Sequence, residues 1–252
     1  VGNDDYGKEC MKSLTENGVS LDYIETDPKL PTNYHYVLWY GPERTILVNH
    51  APFVRHLSKD MKAPKWIYLS SLGENTEEFH HEIAEWLKEH PETKLALQPG
   101  TFQMKLGTDK LKDIYAMAEI FFCNIDEAQR ILKIKELDPK VLMNALHVLG
   151  PKIVVMTDGI KGAYAREEPG DMWFMPIYPH EPVERTGAGD AFASTITSAL
   201  AMGKTLEEAL LWAPINAMAV TQEIGAQKGL LSQEKIEEYL KNAPADYKPK
   251  KI

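Results

Sequence analysis

Four short apolar runs limit how this chain can fold. They are Trp66-Ile67-Tyr68-Leu69, Leu95-Ala96-Leu97, Ile120-Phe121-Phe122-Cys123 and Ile153-Val154-Val155-Met156. Between them lie segments with helical spacing: Phe79, Ile83 and Leu87; Leu111, Ile114, Tyr115 and Ala118; then 127–133 and 139–149. Continuous apolar strands alternating with amphipathic helices imply a parallel sheet covered on both faces. With 252 residues, 44% of them hydrophobic and 26% charged, the chain can bury one sizeable core. The expected fold class is therefore α/β, a three-layer α/β/α domain with a largely parallel central sheet.

Other segments refine this outline. A first helix places Cys10, Met11 and Leu14 inward and stops at Gly18, and Asn75-Thr76-Glu77-Glu78 reads as an N-cap with a capping-box glutamate. Two β-rich runs, 34–40 and 44–48, flank a Gly41-Pro42-Glu43 turn, and their aromatics predict cross-strand packing. His80-His81-Glu82 lacks the further histidine of a zinc helix and reads as solvated. Cys10 and Cys123 show no metal spacing and read as buried free thiols, while the lysine- and proline-rich tail, 243–252, is expected to fray. A net charge of −9 argues against a nucleic-acid or anionic-membrane partner. No run approaches a membrane span and the first residues carry no signal-peptide pattern, so the expected location is cytoplasmic.

The chemistry concentrates in Arg185-Thr186-Gly187-Ala188-Gly189-Asp190-Ala191-Phe192. A strand, 172–177, and a loop broken by Pro179 and Pro182 precede it. Phe192, Ile196, Ala199 and Leu200 then form a helical stripe that Gly203 can end. Gly187 and Gly189 allow a sharp turn and close approach to main-chain N–H groups. Those groups lie at a helix start, which attracts anions. Asp190, in the first turn, either stabilises the helix or stands as a general base at the lip of a phosphate cradle. No P-loop pattern exists, and Phe192 occupies the position where a dinucleotide fingerprint needs a third small residue. Beyond the strand ends come Asn124-x-x-Glu127, which is also an ordinary helix cap, and Thr157-x-Gly159-x-x-Gly162, which is also an ordinary glycine turn.

The stretch from Thr186 to Phe192 resembles the C-terminal signature of the PfkB (ribokinase-like) family of carbohydrate and nucleoside kinases. The Asn124–Glu127 and Thr157–Gly162 stretches, and Asn216 to Val220 with Gly225-Ala226, resemble family segments in the same order. The resemblance implies Asp190 as catalytic base and the amides of Gly187, Ala188 and Gly189 as the cradle. It implies Asn124, Thr157, Gly159, Gly162, Asn216 and Gly225 around ATP, and Glu127 organising Mg2+. It implies one kinase domain over 1–252, short of at least one N-terminal βαβ unit, with 22–50 as part of a β lid that also offers a homodimer contact. Two departures stand out. Glu184-Arg185 replaces the usual Asp-Thr, which puts a monovalent-cation site in question, and Gln98-Pro99-Gly100 replaces Asp-Pro-Asn. The expected activity is ATP-dependent phosphorylation of a small sugar. The alternatives are an adenosine-like nucleoside kinase and a non-catalytic, ligand-binding member of the family.

Overall fold

The computed structural model describes residues 1–40 and 43–252, so the expected turn at Gly41-Pro42 lies outside the described residues. Two compact units are present: 1–62 with 73–82, and 63–72 with 83–252.

In the smaller unit, α1 (Asp5–Glu16) is capped by Asp4, whose Oδ1 accepts the Gly7 N–H at 2.8 Å. Asp4 also accepts the Thr32 N–H and hydroxyl, and Thr32 in turn accepts the Gly2 N–H. These bonds, led by the Thr32 hydroxyl, hold the Asp4 carboxyl below its ordinary range. Met11 and Leu14 are half-buried but Cys10 is exposed, contrary to its expected inward place. Strands β1 (Tyr34–Tyr40) and β2 (Glu43–Asn49) pair antiparallel in a sheet of their own, with Tyr36 opposite Leu47 and Val37 opposite Ile46. Along β1, Tyr34 meets Tyr36 edge-on at 5.3 Å, and across the hairpin the His35 and His50 rings lie 5.1 Å apart.

The larger unit holds β3 (Trp66–Leu69), β4 (Lys94–Leu97), β5 (Ala118–Asn124), β6 (Ile153–Thr157), β7 (Ala163–Glu167), β8 (Met172–Met175) and β9 (Lys250–Lys251), ordered as numbered in one seven-stranded sheet. Strands β3 to β6 are parallel, and β6 to β9 pair antiparallel. The helices are α2 (Glu77–Glu89), which belongs to the smaller unit as far as Glu82, α3 (Thr101–Leu106), α4 (Lys112–Met117), α5 (Ile125–Leu132), α6 (Pro139–His147), α7 (Ala188–Ala201), α8 (Leu206–Thr221) and α9 (Gln233–Lys241). Period-two alternation sorts the strand residues between two faces. Ile120, Phe122, Val155 and Ala165 join Ile196, Leu210 and Ile215 of α7 and α8 in one cluster. Phe121 points the other way and its ring meets Tyr115 of α4 at 5.4 Å. Each buried Val, Leu, Ile or Phe side chain here contributes roughly 1.5–3 kcal/mol. The three-layer expectation holds, and among the described residues no helix is long and apolar enough to cross a membrane.

Three local expectations are corrected. Asn75 adopts a left-handed φ of 57° instead of capping, and α2 begins after Thr76, whose carbonyl accepts the His80 N–H. His80 is buried, not solvated, and burial lowers its pKa. The tail does not fray: Tyr247 is buried with its hydroxyl donating to the Leu211 carbonyl at 2.7 Å, and β9 adds the last strand of the sheet.

Candidate functional site

Ligand chemistry in an open α/β sheet gathers at the carboxyl ends of its strands. Here the ends of β5 and β6 are in register, with Asn124 beside Thr157. They border a cavity of about 290 Å³ together with Gly159, Gly162, Ala188 and Gly189. Its apolar wall comes from Ile160, Ala163, Met175, Ile177, Phe192 and Met218. Gly162 has φ 112°, and a Cβ there would lie 2.4 Å from the Met175 carbonyl, so the turn from β6 to β7 requires glycine.

Helix α7 starts at the rim of this cavity. Gly187 is its N-cap residue, with φ 81°, and no side chain caps the helix. The first-turn N–H groups have no helical acceptors, and Ala188 makes only a long turn bond, 3.4 Å, to the Arg185 carbonyl. Beside Gly189 the space is open: a Cβ built there meets nothing within 4 Å. Gly187 is tightly enclosed, since its Cβ would lie 2.8 Å from that of Ala226. Glu184 joins the same two loops, accepting the N–H and hydroxyl of Thr186 and, at 3.4 Å, the N–H of Gly225.

Asp190 follows in the first turn, exposed, with its Oδ1 accepting the Gln98 amide at 3.0 Å. Glu127 and Asn124 form a reciprocal capping box on α5. Burial raises the Glu127 pKa; the Asn124 N–H and Arg130 oppose the shift, and Asp190 and Asp126 add to it. Among the described residues no cluster of three ligating side chains occurs. Magnesium keeps several waters and takes one or two carboxylates beside phosphate oxygens. A half-buried Glu127 that feels the Asp190 charge fits that limited demand.

The structure thus brings Asn124, Thr157, Gly159, Gly162, Ala188 and Gly189 to one cavity, with Gly187 and Asp190 at its rim. It does not bring Asn216 there. That side chain is buried, donating to Thr195 Oγ1 at 2.8 Å and accepting from the Leu231 N–H at 2.9 Å. Its helix neighbours Ala217, Met218 and Thr221 line the cavity instead. Gly225, with φ 94°, acts at one remove through Glu184. Sequence reasoning gave no site role to Arg185 or His180, which also line the cavity. It also treated Gln98 only as a departure. Arg185 carried a usable signal, a guanidinium one residue before an anion-binding turn.

The model of the pfkB family carbohydrate kinases matches residues 1–233. The chain belongs to the pfkB family of carbohydrate kinases, which transfer phosphate from ATP. It is 26% identical over 247 residues to a ribokinase of Bacillus subtilis (strain 168), a match covering 95% of this chain and 79% of that one. Over 105 residues it is 39% identical to a cytidine kinase of Thermococcus kodakarensis, covering 40% of this chain and 36% of that protein. The structure of Arabidopsis thaliana ribokinase complexed with ribose and ATP superposes with a TM-score of 0.81 at 22% identity, covering 96% of this chain and 80% of that one.

Proposed function

We propose that the chain phosphorylates a hydroxyl of a small sugar of the ribose or fructose type, with Asp190 as general base. The carrying observation is the placing of Asp190 in the first turn of α7, beside open N–H groups and a cavity with an apolar wall. The nucleotide base lies against Ile160, Met175 and Met218, and its phosphates run towards Ala188 and Gly189. Arg185 offers a fork of donors to phosphate oxygens. Asp190 accepts the acceptor's proton as its oxygen bonds to the γ-phosphorus and the bond to the ADP oxygen breaks. The amides of Gly187, Ala188 and Gly189 hold the charge on the transferred group. Glu127 would hold a magnesium ion through water, and bound magnesium supplies charge neutralisation between the phosphates.

A nucleoside acceptor is the second reading. It is favoured by Tyr34 and Tyr36 on the β1–β2 hairpin and by the likeness to a cytidine kinase. In either case residues 22–50 act as the lid and as the homodimer contact, in a cytoplasmic setting where ATP is available. The test is ADP release from Mg-ATP with a panel of pentoses, hexoses and nucleosides. A single pentose or hexose should dominate. Dominance by a nucleoside selects the second reading, and tight acceptor binding without ADP release contradicts both in favour of a non-catalytic member.

A further inference from the structure

Asp190 is held from the sheet by Gln98, a residue that departs from the family pattern. The β3–β4 register places Tyr68 opposite Ala96, so Gln98, two residues on, lies diagonally on the same face. The Gln98 N–H donates to the Leu69 carbonyl at 2.9 Å, which pins its backbone to the end of β3. The Tyr68 hydroxyl donates to Gln98 Oε1, and Gln98 Nε2 donates to Asp190 Oδ1 at 3.0 Å. The amide can take only one orientation here. An ionised carboxylate only accepts, so the NH2 must face Asp190, and the carbonyl oxygen is left to take the phenol proton.

We infer that Gln98 is a positioning residue for Asp190, itself oriented by Tyr68. This rests on the proposed role of Asp190 as base. The amide occupies one carboxylate oxygen and leaves Oδ2 to receive the acceptor's proton. A hydrogen bond to the charged form favours that form, and a neutral amide supplies it without placing a cation beside the attacking oxygen. The Asp190 charge acts on Tyr68 on β3 and on Glu127 on α5. Burial, then the Asp190 charge, keeps Tyr68 protonated and therefore a donor.

The test uses Gln98→Glu, Gln98→Met, Tyr68→Phe and Asp190→Asn, assayed with Mg-ATP and the panel acceptor that turns over fastest. Gln98→Met should lower kcat about tenfold with the KM for ATP unchanged, since the lost bond is worth about 1.4 kcal/mol at a charged group. Gln98→Glu sets a second carboxylate against Asp190, so the acid limb of its kcat profile should move up by about one pH unit. Activity should then recover at alkaline pH. Tyr68→Phe should lower kcat in the same sense by a smaller factor. A merely structural Gln98 would leave the pH profile in place. An unmoved acid limb and normal kcat in folded Gln98→Glu and Gln98→Met, with Asp190→Asn inactive, would overturn the positioning role alone. Near-parental turnover in Asp190→Asn would overturn the reading beneath it as well.

Discussion

Gly187 shows how much of the site one residue can decide. Its φ of 81° and the 2.8 Å approach of a built Cβ to Ala226 leave no room for a side chain. Gly187→Ala should therefore lose about 1–2 kcal/mol of stability from the left-handed backbone alone. It should also weaken ADP binding, because relief of the clash displaces the amides beside Gly187. Thermal melts with and without ADP check both effects, and an unchanged ADP-induced shift would contradict the second. The residues near Gly187 were legible because the motif is contiguous: cap, open amides and carboxylate lie within four positions. Gln98 was not legible. It reaches Asp190 across 92 positions, and only the β3–β4 register makes them neighbours. Asn216 misled for the opposite reason, since it sits in the right helix but turns into the core, where its amide is spent on Thr195 and Leu231.

At the scale of elements, α5 carries a conflict between stability and function. Asn124→Ala removes half of its capping box and should cost about 1 kcal/mol, read as a lower denaturation midpoint. Glu127 has a raised pKa, so its ionised form is the one that folding disfavours. Below the ordinary carboxylate pKa it is protonated in both folded and unfolded chains, and no penalty applies. As pH rises through the folded pKa, it must ionise in its half-buried place and stability is lost. Glu127→Gln keeps an acceptor for the Asn124 N–H. It should melt above the parent at pH 7, with the gap closing towards pH 4, while binding Mg-ATP more weakly. A gap independent of pH would contradict this account. The strands and most helices were legible from their apolar spacing. The start of α2 and the final strand were not. Asn75 turns left-handed ahead of a buried Thr76, and Tyr247 anchors a tail whose composition reads as loose.

At the scale of the whole molecule, the hairpin is the feature that composition could not explain. Tyr36, Leu38, Leu47 and Val48 are 56%, 54%, 51% and 50% exposed, more apolar surface than a hairpin usually leaves in water. If this surface is the proposed dimer contact, Val37→Glu with Leu38→Glu places charge on both faces of β1. Light scattering should then show half the parental mass, and equal masses would contradict the contact. The fold class was legible because strands β3 to β6 alternate with helices along the chain. The division into two units was not, since it depends on contacts far apart in sequence. The central claim, phosphotransfer with Asp190 as base, is tested most directly by the kcat of Asp190→Asn measured beside its ATP Kd. A positioned base contributes about 10²–10⁴ in rate. The account predicts a fall in kcat of at least about a hundredfold, with ATP affinity unchanged or tighter because the amides of Ala188 and Gly189 remain. A kcat within a few-fold of the parent, accompanied only by a lower melting temperature, would contradict it.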